Sequence, residues 1–554
     1  MHKITVLSLL TFFSLNLEVY CDECPIVTTP LGKIKGSIQK SRLGRTIYSY
    51  RGIRYAKPPI NDLRFQPPQP IGKWEGVFDA TKDGPLCSQP KIFGNSSEDC
   101  LTLNVYTTKL PSFWSNPKRP VIVDFPGGSF FIGGASSNQM GPNYFMDQDI
   151  VLISFNYRLA SLGYLSTGDK HAPGNNGYKD QVVLLKWVKN NIEHFGGDPN
   201  SVTLFGFSAG GWCSLLHMVS PMSEGLFHKA VSMSGNSVGI FPIQNNQLEL
   251  AKKQARLVGC PDDTSENIVN CLKRVPAEQL AESLFGFQEF GSDPVVIWGP
   301  VIEGKFGQQQ FLPDHPIRLI MKGQFQKVPY ITGQTKDEIG IKSYEVIDNA
   351  TLTKEMNDDF ETIAPISFIY ERNTSHSKKV SRAIKSFYFG NRPLDKSQLK
   401  NLGNVGIEGF MSMSVNKCAV LVQIIQINPV YNLICFSTSP FYFHATFSGV
   451  SHGDDLSYLF YDSRNFPLFG KDSPRPEIDM VEKLTTMFAN FARTGNPIPH
   501  RSAKLDNVKW DRFTLQTQKY MDIGNRLVMK ERLFEERNEF WENLYPLSFY
   551  AKSN

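Results

Sequence analysis

The stretch from Phe195 to Gly210, FGGDPNSVTLFGFSAG, limits what this chain can fold into more than any other. A β-rich run over 201–207 meets a helical run over 211–219, and the junction reads Gly206-Phe207-Ser208-Ala209-Gly210. A serine forced between strand and helix sits on a sharp, strained turn with its hydroxyl standing free. Glycines on either side let neighbouring backbone pass close. The pentapeptide alone is weak, because Gly, Ser and Ala are common loop residues. Its strand-before, helix-after setting is what makes Ser208 a candidate nucleophile.

The surrounding pattern predicts the fold class. Residues 121–125 and 150–157 are near-continuous apolar runs, as expected of parallel strands buried on both faces. Between Asp180 and Phe195 the residues Leu184, Val188, Ile192 and Phe195 recur at helical spacing, and Gly196-Gly197 ends the helix. Strand, helix, strand is the grammar of an α/β protein with a large, mostly parallel sheet and helices on both faces. Further strands are expected at 229–233, 328–333 and 441–447, with long insertions between them roofing the site. A core-packing helix is expected over 480–493, with Leu484, Phe488 and Phe491 on one face, ended by Thr494-Gly495. Residues 26–74 alternate short β-prone runs with turns. No linker, repeat or low-complexity tract divides the chain, so residues 22–554 read as one domain.

A serine hydroxyl needs a base to take its proton, and an imidazole base needs an acid to orient it. On an α/β sheet of this kind the chain order is Ser, acid, His. The stretch around Ser208 resembles the active-site signature of the type-B carboxylesterase and cholinesterase family of α/β-hydrolases, and the likeness runs from about Pro25 to about Pro546. Gln334-Thr335-Lys336-Asp337-Glu338 resembles the family segment ending in the triad acid, which points to Glu338 with Asp337 beside it as the competitor. Gly449-Val450-Ser451-His452-Gly453-Asp454-Asp455 resembles the family's GxxHxxD motif and points to His452, whereas His444 reads as structural. The loop Pro126-Gly127-Gly128-Ser129-Phe130 resembles the family's oxyanion loop. Gly128 and Ser129 would then supply backbone N–H donors beside that of Ala209. The chain departs from the family at Pro126, where His or Tyr is usual, at Ser129 in place of Gly or Ala, and at Ile339 in place of Gly. At Phe207 the family usually has Glu.

Residues 1–21 carry a short basic start and an apolar run over 4–17, which reads as a secretory signal peptide. No later run is long and apolar enough to span a bilayer, so an exported, extracellular protein is expected. Sequons at Asn95, Asn349 and Asn373 fit that route. A net charge of +5 over 554 residues, with no basic block, argues against nucleic acid as a partner. Nine cysteines in an exported chain invite pairing. Short spacing and resemblance to the family's two common loops suggest Cys87 with Cys100 and Cys260 with Cys271, leaving Cys213, Cys418 and Cys435 as buried thiols. Cys21 and Cys24 are parted by leader cleavage, and no other pair has ligand spacing, so no metal site is expected.

The resemblance implies a secreted serine carboxylesterase that needs no cofactor and acts on small-molecule carboxylic esters through an acyl-enzyme. The family also holds adhesion proteins with a lost nucleophile, so a binding or carrier role is the alternative. Its mark would be a missing triad member, and all three are present. Choline-binding members hold a Trp inside the first disulfide loop, where this chain offers only Phe93 as an aromatic. Juvenile hormone esterases, the other enzymatic alternative, tend to carry Gln where Phe207 stands. A general insect-type carboxylesterase fits better.

Overall fold

The computed structural model describes residues 24–243, 247–338, 340–407, 413–425, 428–435, 449–465, 467–470 and 472–551. The expected leader, Ile339, and the expected strand at 441–447 with His444 lie outside them.

An eleven-stranded sheet organises the chain. In chain order its strands are β1 (Ser37–Lys40), β2 (Thr46–Arg54), β3 (Thr102–Thr107), β4 (Arg119–Phe125), β5 (Val151–Phe155) and β6 (Gly197–Phe207). They continue with β7 (Lys229–Met233), β8 (Tyr330–Thr335), β9 (Val430–Cys435), β10 (Lys519–Ile523) and β11 (Leu527–Glu531). Across the sheet the order is β11-β10-β9-β8-β7-β6-β4-β5-β3-β2-β1. All pairings from β5 across to β10 are parallel, while both margins are antiparallel. The α/β-hydrolase class expected of the sequence is thus the observed one.

Successive side chains of a strand point to opposite faces, and the core divides accordingly. Val121, Val123, Val202 and Leu204 enter one apolar cluster, while Ile122 and Phe205 enter a second. The first face is covered by helices α1 (Asn176–Asn191) and α2 (Ala209–Val219), whose Leu184, Val188, Trp212 and Leu216 join its cluster. The second is covered by helix α3 (Arg475–Thr494). On α3, Val481, Leu484, Phe488 and Phe491 recur at spacings of three and four and are buried in the second cluster. Phe488 meets Phe205 of β6 edge-on, with ring centroids 5.1 Å apart. Emptying such a position costs about 3–5 kcal/mol. Gly495, at φ +73°, ends α3 in the left-handed conformation, its N–H donating to Phe491 O at 2.8 Å.

Three boundaries differ from the sequence-based expectation. Helix α1 begins at Asn176 rather than near Asp180, because its first turn is buried and polar and so shows no apolar period. Lys179 pairs with Glu303 at 2.5 Å and Asp180 with Arg158 at 2.7 Å. Strand β6 begins at Gly197, with a register shift against β4 between Gly197 and Val202 that hides it from an alternation reading. The strand beside β8 is Val430–Cys435, which is wholly buried. Strand β8 itself is shifted two residues towards Glu338 from the expected 328–333.

The two expected disulfides are present, Cys87–Cys100 and Cys260–Cys271, closing sequence separations of 13 and 11. Loops this short contribute about 3 kcal/mol each in the chain-entropy account. Cys213 and Cys418 are buried thiols, and Cys435 is buried as well. Burial pushes the Cys213 thiol up to about 12 and the Cys418 thiol up to about 11. Among the described residues no helix is long and apolar enough to cross a membrane, and no group of His, Cys, Asp and Glu is placed to hold a metal ion. Asn95, Asn349 and Asn373 are all exposed.

Candidate active site

Ser208 stands between β6 and α2 at φ +55°, ψ −122°, a conformation that costs a non-glycine residue about 1–3 kcal/mol. Its surroundings enforce the turn. Ser208 N–H donates to Met233 O of β7 at 2.8 Å, and Ser208 O accepts from Trp212 N–H at 3.2 Å. The flanking glycines are there because nothing larger fits. A Cβ on Gly206 would lie 2.0 Å from Gly210 O, and one on Gly210 would lie 1.8 Å from Phe125 O. The serine also heads an eleven-residue helix, whose first N–H groups lack intrahelical acceptors and whose dipole favours negative charge.

Glu338 follows β8 and is buried, with 1 % of its surface exposed. Oε1 accepts from Thr335 N–H at 2.6 Å and from the Ser234 hydroxyl at 2.5 Å, and Oε2 is hydrogen-bonded to Nδ1 of His452. The backbone repeats the pairing, His452 N–H donating to Glu338 O at 3.0 Å. Asp337 points elsewhere. Its Oδ2 accepts from Val450 N–H at 2.9 Å, so between the two acids it is Glu338 that the structure brings to the imidazole. A carboxylate only accepts hydrogen bonds, so Nδ1 carries the proton and Nε2 is left with its lone pair, the tautomer a general base requires. The His452 side chain is 29 % exposed.

Phe207, peptide-bonded to Ser208, lays its ring against the imidazole of His452, with centroids 4.5 Å apart and planes 39° apart. The loop after β4 closes in from the other direction. A Cβ on Gly127 would come within 3.1 Å of Ser208 Cβ. Gly128, Ser129 and Phe130 all have positive φ (+116°, +53° and +66°), and Gly128 O accepts from Phe131 and Ile132 N–H at 3.0 Å each. The Tyr157 hydroxyl fixes the start of this turn by donating to Pro126 O at 3.0 Å. Gly128 and Ser129 thus lie in a tightly wound turn beside Ser208, and Ala209 opens α2.

Sequence reasoning missed one supporting residue and the burial of another. Ser234, one residue beyond β7, is held at φ +49° and donates to Glu338; its place at the carboxyl end of a parallel strand is the signal that could have marked it. Asp455, three residues after His452, is buried, and among the described residues neither of its carboxylate oxygens has a hydrogen-bond partner. Burial, reinforced by the Glu338 charge, pushes it up to about 7, and burial pushes its neighbour Asp454 up to about 6.

Comparison with known proteins places this geometry. The carboxylesterase family profile matches residues 23–541. The chain is 34% identical over 549 residues to a juvenile hormone esterase of Tribolium castaneum, covering 92% of this chain and 90% of that protein. It is 35% identical over 513 residues to esterase FE4 of Myzus persicae, with 89% and 88% covered. A carboxylic ester hydrolase of Bombus ignitus is 33% identical, with 98% of each chain covered. Among solved structures, a crystal structure of juvenile hormone esterase from Manduca sexta with OTFP covalently attached superposes with a TM-score of 0.84 at 28% identity, covering 94% of this chain and 100% of that one. With its sheet order, its strained serine and its matched length, the chain belongs to the carboxylesterase family and, with that family, to the carboxylic ester hydrolases of the α/β-hydrolase fold.

Proposed function

We propose that this chain is a secreted serine carboxylesterase in which Ser208, Glu338 and His452 form the catalytic triad. The observation that carries the reading is the hydrogen bond from His452 Nδ1 to the buried Glu338 carboxylate, which leaves Nε2 free to serve as the base for Ser208 on its strained elbow. Nε2 takes the proton of the Ser208 hydroxyl as Oγ attacks the ester carbonyl. The tetrahedral oxyanion is stabilised by the N–H groups of Gly128, Ser129 and Ala209, and the imidazolium returns its proton to the departing alcohol. Water then repeats the sequence against the acyl-enzyme and releases the carboxylic acid. Residues 1–21 are removed as a signal peptide, and residues 22–554 act as one unit. The exposed sequons at Asn95, Asn349 and Asn373 fit passage through the secretory route.

The substrate class follows from Phe207. An apolar ring tilted against the imidazole provides no anion for a cationic alcohol, so neutral esters with apolar groups are favoured over choline esters. Hydrolysis of juvenile hormone is the second reading, favoured by likeness to two proteins of that name. An ester panel on the purified full chain separates the two. The first predicts turnover across neutral aryl and alkyl esters with little preference for juvenile hormone. A kcat/KM for juvenile hormone a hundredfold above the rest selects the second, and no turnover of any ester refutes both.

A further inference from the structure

A cavity of about 630 Å3, within the usual size of small-molecule sites, opens beside helix Leu248–Leu257. Among the described residues that line it, none is Ser208, Glu338 or His452. Its wall is apolar, built from Leu248, Phe287, Val296, Ile297 and Ile369, and closed at one side by Phe241, whose ring meets Trp212 of α2 edge-on at 5.0 Å. Ile369 is held at φ +56°, a strained conformation for a β-branched residue and of the kind retained at ligand-gripping positions.

The other charged groups of the wall already have partners. Glu289 takes Arg372 through both oxygens at 2.9 Å, Glu249 takes Lys252 at 2.9 Å, and Glu371 accepts from the Tyr545 hydroxyl at 2.7 Å and is paired with His376. Lys253 is left over. Its Nζ lies 5.2 Å from the centre of the Phe287 ring, and among the described residues no carboxylate lies within ion-pair distance of it. An apolar chamber with one cation that no carboxylate claims suits a ligand with one anionic head and an apolar body.

We propose that this cavity is a second binding site, taking an apolar monocarboxylate with its head on Lys253 and its chain along Phe287, Val296, Ile297 and Ile369. The choice of carboxylate among anions rests on the esterase reading, since cleaving an apolar carboxylic ester releases that ion. The test is calorimetric titration of the full chain with decanoate, against decyltrimethylammonium as the charge-reversed control, in wild type and in Ser208→Ala. Decanoate should bind one per chain in both. Lys253→Glu should weaken it at least tenfold and improve the cation, and Ile297→Trp should abolish binding by filling the chamber. Lys253→Gln, expected to weaken decanoate severalfold, serves if the charge reversal fails to fold, and matched thermal transitions establish folding. Decanoate affinity indifferent to both Lys253 variants, or absent altogether, overturns the site. Absence of ester turnover with decanoate binding intact refutes the esterase reading and leaves the site standing.

Discussion

Replacing Phe207 by Glu asks what the aromatic ring does for the imidazole it covers. The ring centroids are 4.5 Å apart, so a carboxylate in its place would sit about 5 Å from His452. At an effective dielectric of about 40, between a protein surface and water, that charge favours the imidazolium by about 1.7 kcal/mol, or about one pH unit. The sign follows from the mechanism. Only neutral imidazole acts as base, so stabilising the cation delays its appearance, and the acid limb of kcat/KM moves to higher pH by about one unit in Phe207→Glu. The same charge should raise kcat/KM for a cationic ester by up to about tenfold relative to a neutral ester of matching size. The assay is a pH profile of kcat/KM in both proteins with one ester of each kind. If the limb stays put or moves down and the charge preference is unaltered, the ring is packing alone and the electrostatic account of this position is wrong.

Ser234→Ala removes one of the donors to Glu338. A hydrogen bond to a charged group is worth about 1.5–3 kcal/mol, so kcat/KM should fall about ten- to a hundredfold with KM little changed, and an unaltered kcat would show that Glu338 needs no such support. Asp455→Asn should flatten the pH dependence of stability. In the wild type the unfolded carboxyl ionises near its ordinary value while the buried one keeps its proton to about 7, so stability falls as pH rises from about 4 to about 7, by up to a few kcal/mol. Chemical denaturation at pH 5 and pH 8 measures this, and equal slopes in both proteins would mean that Asp455 is not desolvated as its burial implies. Gly210→Ala should fail to fold or lose the elbow, because its Cβ would meet Phe125 O at 1.8 Å; a stable, active variant would contradict the described turn.

What could be read from the sequence was what local pattern carries. Apolar runs marked the central strands, and the setting of Ser208 marked the elbow, because strand, turn and helix are contiguous there. Resemblance favoured Glu338 over Asp337, and the position of His452 is what separates the two, since neighbouring side chains point apart. Ser234 left no mark because it reaches Glu338 across 104 residues, whereas the nearness of position 207 to the imidazole of His452 was legible only through the family resemblance. The start of α1 was hidden because its buried residues are polar and paired, so burial there is not written in hydrophobicity.

The central claim is that Ser208 is the nucleophile, and covalent labelling tests it most directly. Wild type and Ser208→Ala, both folded by their thermal transitions, are treated with a mass-tagged organophosphate, digested and mapped, alongside turnover of a simple aryl ester. The account predicts one tag per chain on the peptide bearing Ser208, with no tag and at least a thousandfold loss of turnover in the variant. A tag on another serine, or a variant that hydrolyses the ester as the wild type does, would contradict it.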